Sequence, residues 1–323
     1  MSCVGYVDLL GFSDQVKINM DSASEVLNDF YNIGYELKKE YSDLKLMMIS
    51  DSLFCWSELD STVINFLCAL YRHCFEHTAL YPKDSDKILI PRGAVAKGDV
   101  LTQQRTEAPQ IKKNFMISPA LVDAVKLEGK IKGARLLVGL KSGKEYKKVI
   151  WDHQIDTVLY NDSTISLVEG YEYCDALWFR ITNRHGSPNK KKTLKFVHLA
   201  ENLVERYSDK SRIIEHYIET LRIGLLSYSI FLEPTDMTFF SDLFSRFSDD
   251  KFWRIWFAIF EVALQSPERI RYLAHESFVT FLKKKALTKG WSQMTSCFRQ
   301  KGNEHLYKLF ADFLNDLPIS SII

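Results

Sequence analysis

The chain has 323 residues, of which 46% are hydrophobic, 26% charged and 13% aromatic, with 14 Gly and 8 Pro, a globular composition that excludes disordered, collagenous and low-complexity classes. At roughly 100–200 residues per domain this length allows two domains or one large one. Lys and Arg number 42 against 41 Asp and Glu, so no global field attracts a polyanion and a dedicated nucleic-acid binder gains no support.

Cys3–Leu10 is an apolar run of strand formers ended by Gly11, with one carboxylate, Asp8, inside it. Residues 1–6 lack the basic and long apolar regions of a signal peptide, which predicts no export. The six cysteines, Cys3, Cys55, Cys68, Cys74, Cys174 and Cys297, form no C-x-x-C pair and read as reduced thiols of a cytoplasmic protein. From Ser22 to Tyr41, apolar residues at Val26, Leu27, Phe30, Ile33 and Leu37 follow a helical period, with Ser22 or Ser24 as N-cap. Leu44–Ile49 and Leu53–Trp56 are β-prone runs separated by Ser50, Asp51 and Ser52, which predicts a tight hairpin carrying Asp51 at its turn.

Ser61–Leu80 is helical by pattern and closes at Tyr81-Pro82. Ile88–Ile90 and Gly93–Ala96 read as strand, followed by a turn at Lys97-Gly98-Asp99 with Lys97 exposed. Ser118-Pro119 opens a helix, since Ser caps and Pro is tolerated in the first turn, and the helix runs to Gly129. Arg135–Leu140, Lys148–Trp151 and Ile165–Tyr171 are further strand candidates. Strands and helices thus alternate, and the hairpin argues against an all-parallel sheet. Residues 183–192 read as an exposed connection, beyond which helical periods dominate over Leu194–Tyr207, Lys210–Phe231, Phe239–Phe247, Lys251–Gln265, Ser266–Ala286 and Glu304–Leu317. The expected organisation is a catalytic domain over 1–182 and an all-helical module, for dimerisation or regulation, over 193–323. The most apolar stretches, Ile223–Leu232 and Trp253–Leu264, are shorter than the ~18–20 residues of a membrane span, so none is predicted.

Asp8 and Asp51 each lie where a strand meets a turn, and two carboxylates converging at a sheet edge can hold divalent cations against a triphosphate. By residue type alone they serve equally as a turn cap and an ordinary hairpin-turn residue. His73 and His77 share a helix face but have no third ligand, and read as a surface pair. The aromatic stripe Phe252, Trp253, Trp256, Phe257 and Phe260 reads as core of the helical module. Arg184 and Lys190–Lys192 lack interleaved aromatics and read as solvated linker.

Four blocks carry a resemblance. Tyr6-Val7-Asp8-Leu9-Leu10-Gly11-Phe12-Ser13, Ile49-Ser50-Asp51-Ser52-Leu53-Phe54, Pro91-Arg92-Gly93-Ala94-Val95-Ala96-Lys97-Gly98 and Ser118–Glu128 resemble, in order and spacing, the motifs of class III nucleotidyl cyclases. The resemblance implies an α+β fold with a sheet of largely antiparallel order flanked by helices, working as a head-to-tail homodimer with active sites at the interface. It implies that Asp8 and Asp51, with the Leu9 backbone carbonyl as a further candidate, hold two Mn²⁺ or Mg²⁺ ions. Gly11, Phe12 and Ser13 fall where that family cradles the triphosphate, and Lys126 falls at its transition-state cation. Arg92 is a candidate for the triphosphate or base edge; by residue type it pairs as simply with a neighbouring carboxylate.

Departures from the pattern are informative. The two positions that read a purine fall on Met47 and Phe115, both apolar, and the family's transition-state Asn aligns with Val122. Bacterial Pycsar pyrimidine cyclases, which keep the metal aspartates and change the base-reading positions, are more similar to these blocks. The expected function is conversion of UTP or CTP to the 3′,5′-cyclic monophosphate in anti-phage defence. The alternatives are a degenerate cyclase fold that binds nucleotide without turnover, and an adenylate or guanylate cyclase with an atypical base site.

Overall fold

The computed structural model describes residues 1–82, 85–108, 111–129, 132–141, 159–160, 171–179, 189–209, 213–231, 237–264, 276–286, 288–299 and 303–316. They divide into two compact units, with the change of unit between Asn189 and Lys190.

The first unit is α+β. Its strands are β1 (Ser2–Leu9), β2 (Lys45–Ile49), β3 (Ser52–Ser57), β4 (Pro91–Gly98), β5 (Leu101–Ala108), β6 (Ile111–Ile117), β7 (Leu136–Lys141), β8 (Leu159–Tyr160) and β9 (Tyr171–Ala176), and its helices α1 (Phe12–Ile18), α2 (Met20–Lys38), α3 (Asp60–Thr78) and α4 (Pro119–Glu128). Seven strands form one sheet in the order β2-β3-β1-β4-β7-β9-β8, antiparallel at every pairing except β4 with β7. β1 is central because its Val4, Val7 and Leu9 side chains are all buried between flanking layers. α3 lies against β1 and β3, with Val63 and Leu67 packed at Gly5 of β1, its Phe75 ring meets Trp178 and Phe179, and α4 covers β4 with Ala120, Ala124 and Leu127 buried. At the far side, buried Arg135 donates from Nε to Asp175 Oδ1 at 2.9 Å and ties β7 to β9.

Several details differ from the sequence expectation. A short helix, α1, precedes the expected one, and the cap of α2 is Asn19, whose Oδ1 accepts from the N–H groups of Asp21 and Ser22 at 3.1 Å each. Ser22 and Ser24 therefore lie inside the helix. Ile88–Ile90 is buried but irregular, because side chains satisfy its backbone: Gln15 Nε2 donates to the Ile88 carbonyl at 2.8 Å, and Leu89 N–H donates to Thr78 Oγ1 at 3.1 Å. β5 and β6 form a separate two-stranded ribbon that the pattern did not announce, since Gln103, Gln104, Arg105 and Thr106 interrupt any apolar alternation. Lys97 is not a free turn residue; it reaches the buried Asp60 at 3.0 Å. Lys148–Trp151 and residues 165–170 lie outside the described residues, while Tyr171 opens β9.

The second unit is helical: α5 (Lys190–Arg206), α6 (Ile214–Tyr228), α7 (Met237–Arg246), α8 (Trp253–Leu264), α9 (Glu276–Lys285), α10 (Lys289–Phe298) and α11 (Glu304–Asp316). Lys190–Lys192 form the first turn of α5 and are not linker. α10 was not expected; Thr288 caps it by accepting from Trp291 N–H at 3.3 Å. α8 forms the core, with Phe260 in ring contact with Phe244, Trp291, Phe298 and Phe310. Among the described residues no helix is long and apolar enough to cross a membrane.

Candidate active site

The site grows from the register of three strands. β1 pairs with β3 so that Asp8 faces Ser52, and with β4 so that Asp8 faces Arg92. The next row along the same face, two residues up β1, is Met47, Phe54, Tyr6 and Ala94. At ~3.3 Å per residue and ~4.8 Å per strand, Met47 lies on the sheet face of Asp8 one row along and two strands across, roughly 12 Å away.

Asp51 enters through the turn between β2 and β3. Ile49 pairs with Ser52, leaving Ser50 and Asp51 as the two loop residues, and Ser50 holds a positive φ of 52°. Its backbone lies against the Tyr31 phenol of α2, and Leu9 N–H donates to the Asp51 carbonyl at 3.2 Å. An extended residue presents its N–H and C=O to the same side, so the Leu9 carbonyl faces the Asp51 turn as well.

Asp8 is largely buried. Ser52 Oγ donates to its Oδ1 at 3.4 Å, and Arg92 Nη2 lies 3.4 Å from its Oδ2. Burial raises the Asp8 carboxyl above the usual range, and the neighbouring Asp51 charge raises it further against the opposing pull of Arg92. The Arg92 Nε lies 2.5 Å from Glu128 Oε1 at the end of α4, an ion pair whose N–H is not aligned as a hydrogen bond. Burial pushes Glu128 up to about 7, with Arg92 opposing and Asp8 adding to the rise. In this arrangement Arg92 is the counter-ion of two carboxylates.

Two repelling carboxylates at one strand edge, beside a backbone carbonyl, are a hard-oxygen donor set suited to Mg²⁺ or Mn²⁺. Among the described residues no group of three or more His, Cys, Asp or Glu forms a complete cation cage.

Gly11 follows β1 in the left-handed conformation, φ 73° and ψ 13°, and α1 starts immediately after it. The Gly11 carbonyl accepts from Asp14 and Gln15 N–H at 3.1 Å each, whereas Phe12 and Ser13, as the first helical residues, have no intrahelical acceptor for their N–H groups. A left-handed residue followed by right-handed ones makes a concave set of N–H groups suited to an anion. The Phe12 ring is buried and Ser13 is exposed.

The remaining expected residues lie apart from this face. Phe115 is exposed on β6, and Lys126 is exposed on α4. Leu101 and Ile117, paired across β5 and β6, and Val122 and Val125 on α4 are exposed apolar side chains around them. His77 Nδ1 sits 3.7 Å from Asp29, and Tyr81 donates to the same carboxylate at 2.6 Å, so that helix face holds a local polar contact. Glu128, Ser52 and Tyr31 were missed as site residues. For Glu128 a signal existed, because Ala120, Ala124 and Glu128 recur every four residues on the buried face of α4.

No family model and no curated protein matches the chain. Among solved structures it is similar to the adenylyl cyclase CyaB from P. aeruginosa at 15% identity, over 57% of this chain and 95% of that one, with a TM-score of 0.44. It is similar to the guanylyl cyclase Cya2 at 11% identity, over 58% and 95% of the two chains, with a TM-score of 0.46. A bacterial light-regulated adenylyl cyclase is similar at 12% identity over 62% of this chain and 57% of its own, with a TM-score of 0.43.

Proposed function

We propose that the chain is a metal-dependent nucleotidyl cyclase that converts a pyrimidine nucleoside triphosphate, UTP or CTP, to its 3′,5′-cyclic monophosphate and pyrophosphate. The observation that carries this reading is the convergence of Asp8 and Asp51, brought together by one backbone bond between β1 and the β2–β3 turn. Bound at these carboxylates, two divalent cations, Mn²⁺ or Mg²⁺, supply a lowered pKa for the ribose 3′-hydroxyl and charge neutralisation for the β- and γ-phosphates. The 3′-hydroxyl gives its proton to solvent water, its oxygen attacks the α-phosphorus, the bond from that phosphorus to the bridging oxygen breaks, and pyrophosphate carries away the electron pair.

The chain's own groups act around that step. N–H groups of Phe12 and Ser13, opened by Gly11, receive the polyphosphate; Arg92 turns from Asp8 toward it as a planar donor. Met47 and Phe115 border the base together, and the Met47 thioether offers a purine no strong hydrogen-bond partner. Together with Lys126 on α4 they act on the site of a second subunit, so two copies arranged about a two-fold axis complete two sites. The exposed apolar side chains of β5, β6 and α4 support such a surface. The biological role in this reading is second-messenger synthesis in the cytoplasm during anti-phage defence.

The test is to incubate purified protein with each of the four nucleoside triphosphates and Mn²⁺ and to identify products by mass spectrometry. Cyclic UMP or cyclic CMP is expected to dominate. A purine product as the best by kcat/KM makes the protein a purine cyclase with an atypical base site, and nucleotide binding without product makes it a degenerate one. Met47→Lys is expected to lower pyrimidine turnover by about 10-fold or more, since a misfit or unpaired group in such a pocket costs ~1–3 kcal/mol.

A further inference from the structure

Glu128 has no role in the reaction described above, yet it is a buried carboxylate placed against the site's cation. It lies 2.5 Å from Arg92 Nε, while Nη2 of the same guanidinium lies 3.4 Å from Asp8. The chemistry of that bridge is unequal sharing: one positive charge stands between two carboxylates, nearer to the one that holds no substrate. The Nε contact is unaligned as a hydrogen bond, so Glu128 holds Arg92 through charge. A divalent cation arriving at Asp8 must compete with Arg92 for that carboxylate, and the strength of the competition depends on how far Glu128 draws the guanidinium away.

We propose that Glu128 is a positioning residue for Arg92, and that by dividing its charge Glu128 sets how readily Asp8 releases its counter-ion to an arriving divalent cation. This rests on reading Asp8 and Asp51 as the cation carboxylates. Glu128→Gln keeps the shape of the side chain and removes its charge, which turns the whole guanidinium charge on Asp8. Arg92→Gln removes the competitor and leaves Asp8 with the Ser52 hydroxyl as its hydrogen-bond donor.

The test is a Mn²⁺ titration of the full chain without nucleotide at about pH 8, above the value of about 7 to which burial pushes Glu128, following free Mn²⁺ by its electron paramagnetic resonance signal, with folding checked by circular dichroism. Glu128→Gln is expected to weaken Mn²⁺ binding by about 3- to 10-fold, and Arg92→Gln to tighten it by a similar factor. In the double variant the Glu128 effect is expected to vanish to within about 2-fold, because there is no guanidinium left to position. Unchanged binding in folded Glu128→Gln overturns the proposal. So does an equal weakening in both backgrounds, which assigns the effect to the field of Glu128 itself. Should Glu128→Gln not fold, Glu128→Asp, which withdraws the charge by one methylene, takes its place with the same sign expected. Wild-type Mn²⁺ binding that survives Asp51→Ala instead removes the cation reading on which the inference rests.

Discussion

The backbone N–H of Leu9 donates to the carbonyl of Asp51 at 3.2 Å, so the turn that carries one acidic residue is fastened to the strand residue next to the other. Two carboxylates are thereby held together by main chain, and their repulsion is borne by the sheet. The raised pKa of Asp8 is the electrostatic trace of that confinement, after its burial.

Asp8→Ala and Asp51→Ala are each expected to lower cyclase turnover by about 100-fold or more while changing stability by no more than ~1 kcal/mol. Each removes a carboxylate that repels its neighbour, and Arg92 keeps Glu128 as partner when Asp8 is gone. Product formation at saturating Mn²⁺ and a thermal melt check both halves; near-wild-type turnover in either variant refutes the two-carboxylate assignment.

Mixing Asp51→Ala with Lys126→Ala protein is expected to restore part of the activity that each lacks alone. One kind of site in the mixed dimer then receives its cation carboxylates from one subunit and its lysine from the other. Activity that persists while sedimentation shows only monomer at micromolar concentration contradicts the shared site.

Glu128 links stability to pH. Its folded-state value of about 7 stands above the ordinary 4.5, so between those values the folded state binds more protons than the unfolded one. Stability therefore falls as pH rises from 4.5 to about 7, by about 3 kcal/mol from this group at most. Asp8, also raised, adds in the same direction. Urea unfolding across this range should show the slope, and Glu128→Gln should flatten it; a slope unchanged in that variant assigns it to other groups.

Gly93→Ala is expected to destabilise the first unit by several kcal/mol, or to prevent its folding. A Cβ at this position would lie 2.2 Å from the Tyr6 carbonyl oxygen and 2.9 Å from Val7 Cγ2, and neither the strand nor the packed side chain can yield cheaply. Chemical denaturation measures it, and wild-type stability would show that β1 and β4 do not pair in this register.

Local features were legible in the sequence because their causes are local. Apolar alternation and a polar two-residue loop specify β1 and the β2–β3 hairpin within a few residues, and Ser118-Pro119 announces α4 by its own capping chemistry. Asp8 and Asp51 could be picked out as a pair for that reason. The counter-ion of Asp8 could not be read in this way. Arg92 is 84 residues further along the chain, and it faces Asp8 because Gly93 lets β4 come close enough to β1 to pair in that register. The packing of α4 on β4 then buries Glu128 against the same guanidinium, and the close pairing of Lys97 with Asp60 is decided in the same manner. Periodicity shows which face of an element is apolar. Strand order and register decide which charges meet there, since a cross-strand neighbour is set by the whole sheet and not by the residues on either side of it in the chain.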